Sequence, residues 1–156
     1  LYAVWADAEN MKHYSYTFDE ARVREWINRN IERYKIFGFG LWADVLKETG
    51  EVIGDCGLTM QTINGLIKPE IGYHIRKNSQ RKGYAAEAAK AVRDWTFTNT
   101  PFNMIYSYMK YDNIPSCKTA MAYGCQLVDE FEDNINKISK VYAISRARWE
   151  ELTKKC

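Results

Sequence analysis

The stretch from Glu70 to Phe97 limits the fold more than any other part of the chain. Glu70-Ile71-Gly72-Tyr73-His74-Ile75 reads as a strand, and four residues later Gln80-Arg81-Lys82-Gly83-Tyr84-Ala85 leads into a helix rich in alanine and acidic residues. A strand, a turn with one glycine and a helix opening at Gly83 leave several backbone N–H groups without intrahelical partners, all directed at one place. Such a helix start carries about half a positive charge and binds anions. Arg81 and Lys82 add whole charges beside it. Spacing alone leaves two readings open, a cradle for a pyrophosphate or an ordinary basic loop ahead of a helix.

Around this segment the pattern predicts alternating elements. Val4, Trp5, Ala8 and Met11 recur at helical spacing over 1–11, and Val23, Trp26, Ile27 and Ile31 do so over 19–33. Strands are expected over 37–46 and 52–61, joined by the polar turn Lys47-Glu48-Thr49-Gly50-Glu51, and again over 68–76. A helix from Gly83 to Phe97 turns Ala85, Ala88, Ala89, Val92 and Trp95 inward. A strand over 103–110, a helix over 114–123 and closing strands over 126–131 and 140–148 complete the pattern. No linker, repeat or low-complexity segment divides residues 1–156, so a single domain is expected.

The phrase at 70–75 followed by Gln80-Arg81-Lys82-Gly83-Tyr84-Ala85 resembles the core of the GNAT N-acetyltransferases, whose signature is Gln/Arg-x-x-Gly-x-Gly/Ala. Gln80, Gly83 and Ala85 fill its three defining places. Downstream, Asn113-Ile114-Pro115-Ser116, ending in Tyr123-Gly124-Cys125, is similar to the family's Asn-x-x-Ser and terminal Gly-Phe. The subgroup it resembles most is the ribosomal-protein-alanine and polyamine type. The resemblance implies a mixed α/β (α+β) fold, a central and mostly antiparallel twisted sheet flanked by helices, with strands splayed at the acetyl-CoA site. The family's opening strand, with its Arg-rich Leu-x-Leu-Arg phrase, is missing from the pattern. The start at Leu1 without methionine fits an internal portion of a longer chain or loss of that strand, which would leave a sheet edge exposed.

The activity implied is direct transfer of an acetyl group from acetyl-CoA to a primary amine in a ternary complex. Positioning is the main contribution expected: it supplies on the order of 7–11 kcal/mol, against about 10²–10⁴-fold in rate from a general base. In the resembled family the amides of the loop, here Gln80, Arg81, Lys82, Gly83, Tyr84 and Ala85, hold the pyrophosphate. Backbone groups at Tyr73, His74 and Ile75 would hold the pantetheine and polarise the thioester oxygen. Glu70 is the first candidate base, through a water, and an exposed strand-end carboxylate is its plainer reading. His74 shares its strand face with Glu70 and Gly72 and is the other candidate for proton transfer, as an imidazole. Asn113 would bond to pantetheine and Ser116 would lie near the sulfur as donor or acid, although Asn followed by Ser also caps helices. The family's usual tyrosine acid falls on Ala120, and Tyr123 reads as a packing residue at a helix end. That departure keeps alive two other readings, a non-catalytic acyl-CoA-binding module and a plain interaction domain.

Composition narrows the partners. With 22 basic and 20 acidic residues the formal charge is only +2, so nucleic acid is not expected. Cys56, Cys117, Cys125 and Cys156 form no Cys-x-x-Cys pair and His13 has no nearby ligand partner, so no metal is expected. No apolar run approaches the roughly 20 residues of a membrane helix, and a cytoplasmic, membrane-free protein is expected. The expected acceptor is a small-molecule amine or a peptide N-terminus, with a homodimer left open. Its pocket is expected to draw on Met11, His13, Tyr14, Tyr16 and the acidic stretch Asp129-Glu130-Phe131-Glu132-Asp133, which reads either as pocket lining or as a solvated loop. Gly38-Phe39-Gly40-Leu41-Trp42-Ala43 fits a dinucleotide fingerprint, but a strand rather than a helix follows it.

Overall fold

A computed structural model describes residues 19–154. The expected helix over 1–11, the missing opening strand and the lining residues Met11, His13, Tyr14 and Tyr16 lie outside the described residues. Helix α1 (Glu20–Phe37) begins where Asp19 Oδ1 accepts the Arg22 amide at 2.8 Å, and it stops at Gly38, whose left-handed backbone donates to the Tyr34 carbonyl. It thus runs past the expected end at 33 and displaces the start of the next strand to Leu41. Strands β1 (Leu41–Val45), β2 (Val52–Ile63) and β3 (Leu66–Ile75) form an antiparallel meander. After a single 3₁₀ turn at Lys77–Ser79 come α2 (Tyr84–Asn99), β4 (Met104–Lys110), α3 (Ile114–Ala122), β5 (Gln126–Asp133), β6 (Lys137–Ser145) and α4 (Arg146–Lys154).

The six strands form one open sheet in the order β1-β2-β3-β4-β6-β5, antiparallel at every junction except β3 with β4. The expected mixed α/β architecture is the one observed. Along β2 and β3, side chains alternate between the faces. Leu58 and Ile71 join Cys56, Ala89, Val92 and Phe97 in the buried cluster beneath α2, while Thr59 and Glu70 pair on the opposite face. Gly57 permits a close backbone approach, since a Cβ there would lie 2.0 Å from the Gly40 carbonyl oxygen.

The closing strand expected over 126–131 is β5, which extends to Asp133, so the acidic residues 129–133 lie in an edge strand paired with Ser139, Lys140 and Val141 of β6 and not in a loop. A second expectation is corrected at the C-terminal end. Residues 146–148 are not strand but the first turn of α4. Arg146 there donates to the carbonyls of Phe97 at 2.6 Å, Thr100 at 2.7 Å and Phe102 at 2.9 Å, clasping the end of α2. Among the described residues no helix is long and apolar enough to cross a membrane.

Candidate active site

The site exists because β3 and β4 part company. They share one register pair, Glu70 with Tyr106, and beyond it the strands diverge towards their C-terminal ends. Ser107 Oγ donates to the Ile71 carbonyl at 2.7 Å and lies 2.6 Å from the Tyr123 hydroxyl, bracing the base of the wedge. A cleft of about 340 Å³ fills the opening. β3 contributes Glu70 to His74, β4 contributes Ser107 to Lys110, the start of α3 contributes Asn113 and Ser116, and α1 roofs it with Trp26, Arg29 and Arg33.

Glu70 sits at the apex. Its side chain is buried, not the exposed strand-end carboxylate of the plainer reading, and Thr59 Oγ1 lies 3.4 Å from its Oε2. Burial pushes the carboxyl up to about 8, against the opposing pull of Thr59 and of the Arg33 charge. Gly72 follows on the same face with no side chain, and a Cβ there would come within 3.3 Å of Glu70 Oε2. The next residue on that face, His74, places Nδ1 2.8 Å from Oδ1 of the buried Asp55, its cross-strand partner. A carboxylate oxygen accepts, so Nδ1 is the donating nitrogen of this contact.

Across the cleft, the Asn113 side chain caps α3 by accepting the Ser116 amide at 3.3 Å, and the Tyr73 hydroxyl donates to the Ser116 carbonyl at 2.7 Å. Asn113 is therefore a helix cap, and Ser116 faces the cleft from the first turn of that helix. Ala120 and Tyr123 are fully buried. Burial raises the Tyr123 phenol well above its ordinary value, and it packs against Ser107 rather than lining the cleft.

The loop at residues 80–85 lies past the end of β3, outside the cleft. Gln80 turns back, its Nε2 donating to the Ile75 carbonyl at 2.7 Å, so it ties the loop to the strand. Arg81 and Gly83 both adopt left-handed backbone conformations, φ 61° and 84°, and Arg81, Lys82 and Gly83 are exposed. No side chain caps the N-terminus of α2, and a Cβ at Gly83 would meet nothing within 4 Å. The α2 start is thus uncapped with room beside Gly83, an arrangement that fits a pyrophosphate.

The acetyltransferase (GNAT) domain model matches residues 1–126. The chain belongs to the GNAT acetyltransferase family. It is similar to protein YkkB of Bacillus subtilis (strain 168), with 33% identity over 138 residues, 88% of this chain and 78% of that protein. N-acetyltransferase p20 of Bacillus licheniformis is 32% identical over 148 residues, 90% of this chain and 82% of its own length. The acetyltransferase from Agrobacterium tumefaciens str. C58 superposes with a TM-score of 0.77 at 25% identity, over 92% of this chain and 82% of that one. Spermidine N-acetyltransferase from Vibrio cholerae, solved with CoA and spermine, shares the fold with a TM-score of 0.73 at 16% identity, over 96% of this chain and 89% of that one. This GNAT chain is an acetyltransferase enzyme, and the non-catalytic reading is not favoured.

Sequence reasoning found the strand, the loop and the cap but missed Asp55, Thr59, Ser107 and the α1 residues. The spacing of Trp26, Arg29 and Arg33 by three and four residues marks one helix face and was the available signal.

Proposed function

We propose that this GNAT enzyme binds acetyl-CoA between β3 and β4 and acetylates a primary amine directly, in a ternary complex built within one domain. The observation that carries the reading is the single β3–β4 register pair at Glu70, together with the α2 start beyond β3, which no side chain caps. Acetyl-CoA supplies the acetyl group as a thioester: the amine nitrogen bonds to the carbonyl carbon, the C–S bond breaks, and an ammonium substrate yields an acetamide, the free thiol and one proton.

The chain's own residues divide the remaining work. The amides of residues 81–85, with Arg81 and Lys82, hold the pyrophosphate, while Gln80 fixes the loop. The β3 edge at Tyr73, His74 and Ile75, unpaired with β4, offers backbone groups to the pantetheine and the thioester oxygen. Glu70 takes the amine proton. Its elevated proton affinity keeps it a competent base only as pH approaches 8. His74, oriented by Asp55, shares that face and is the second candidate base. Ser116 lies across the cleft, where its hydroxyl can donate to the departing sulfur.

Calorimetric titration of CoA into the folded protein should show saturable binding, and thiol release should follow when acetyl-CoA and an accepted amine are combined. Glu70→Gln is expected to lower kcat by about 10²–10⁴-fold and to abolish the rise in activity through pH 8. His74→Gln is expected to keep that pH limb. Absence of CoA binding, or a pH limb surviving in Glu70→Gln, overturns the corresponding part of the assignment.

A further inference from the structure

The roof of the cleft carries a cation, Arg33, that makes no ion pair among the described residues. α1 presents Trp26, Arg29 and Arg33 to the cleft, and Asn30 locks that face in place: its Oδ1 accepts from the Leu41 amide at 3.0 Å and from Arg33 Nη1 at 3.2 Å. The Arg33 guanidinium lies 5.9 Å from the centroid of the Trp26 ring, a cation–π contact beside the hydrogen bond. Arg29 is paired with Glu25 at 3.4 Å, but Arg33 has no carboxylate within ion-pair distance among the described residues.

The other ionisable groups of the cleft do not fill that role. Burial favours the protonated form of Glu70, against the pull of the Arg33 charge. Asp133 accepts the Ile135 amide at 2.7 Å and the Ser139 hydroxyl at 2.9 Å, which stabilises its charge within its own turn. Lys110 adds a further cation, 3.8 Å from Asp112, and His74 is engaged by Asp55. A half-buried guanidinium is costly to leave without an anion, and its fork geometry matches a carboxylate.

We infer that the acceptor end of the cleft is built for an amine that carries its own carboxylate, with Arg33 as the group that binds it. This rests on the acetyltransferase reading above and narrows its substrate class: the carboxylate docks on Arg33 while the amine reaches Glu70. A polyamine brings a second cation to the same place and is disfavoured by it.

The test compares three matched series at fixed chain length, ω-amino carboxylates, neutral monoamines and diamines, together with α-amino acids, by thiol release from acetyl-CoA. Wild type should favour carboxylated amines by about ten- to a hundredfold in kcat/KM, the discrimination expected of a charged hydrogen bond. Arg33→Lys should keep part of that preference. Arg33→Glu should reverse it towards diamines. CoA-induced thermal stabilisation, retained in both variants, reports that each remains folded. Diamines outrunning carboxylated amines in wild type, or a ranking that Arg33→Glu leaves in place, overturns this inference alone. No thiol release with any amine, despite bound acetyl-CoA, removes the catalytic proposal and this inference with it.

Discussion

The two flanks of β3 differ sharply. Towards β2 the strand is fully zipped, with ten register pairs from Gly54–Ile75 to Ile63–Leu66. Towards β4 it makes one. The closed flank satisfies its backbone groups within the sheet and fixes the positions of Asp55, Thr59 and their partners. The open flank leaves the same kind of groups for a ligand, because a polar backbone excluded from water must pair with something. In the proposed reading one strand serves as both scaffold and binding edge, and the proposed base stands at the rung where one role passes into the other.

The largest effect should come from forcing apart the closed flank. Gly54→Ala puts a methyl group 1.9 Å from the His74 carbonyl oxygen, so β2 and β3 must separate. A loss of about 3 kcal/mol or more is expected, read by calorimetry as a melting temperature lower by about 10 °C. A melting temperature within a degree of wild type would show that β3 yields freely and that this flank is not rigid.

An intermediate effect should appear at the apex. Glu70 ordinarily loses its proton near 4.5 when the chain is unfolded but holds it to about 8 when folded. Between those values the native state binds more protons, so unfolding free energy should fall as pH rises from about 5 to about 8, by about 2 kcal/mol once relaxation is allowed for. Glu70→Gln should flatten much of this slope. Asp44, raised to about 7 by burial and by the Asp55 charge, should account for what persists. Denaturant unfolding across pH measures both.

Ser107→Ala should give the smallest change, about 1–2 kcal/mol, because it removes one hydroxyl from the brace to Ile71 while the flanking strands keep their other bonds. Its sharper readout is a raised KM for acetyl-CoA with a nearly unchanged kcat. An unaltered KM would mean the wedge keeps its width without Ser107.

What the sequence revealed and what it hid follow from how far each feature reaches along the chain. The strand at 70–75, the glycine turn at 83 and the Asn113 cap are local, and periodicity or a single side chain specifies each. The strand over 126–131 was legible, whereas its extension through the charged residues to Asp133 depends on the partner that β6 supplies. The Asp55–His74 contact spans 19 positions and depends on the register between two strands, which no local pattern encodes. Arg33 acquires its meaning only when α1 lies over the gap that β4 leaves beside β3.

Arg146 has a consequence far from where it sits. The last turn of α2 contains no basic residue, yet its terminal carbonyls are answered by a guanidinium brought from another part of the chain. The negative pole of that helix is thus neutralised while the positive pole, near Gly83, stays exposed. A side chain that meets neither reactant thereby biases the electric field in which the phosphates would come to rest.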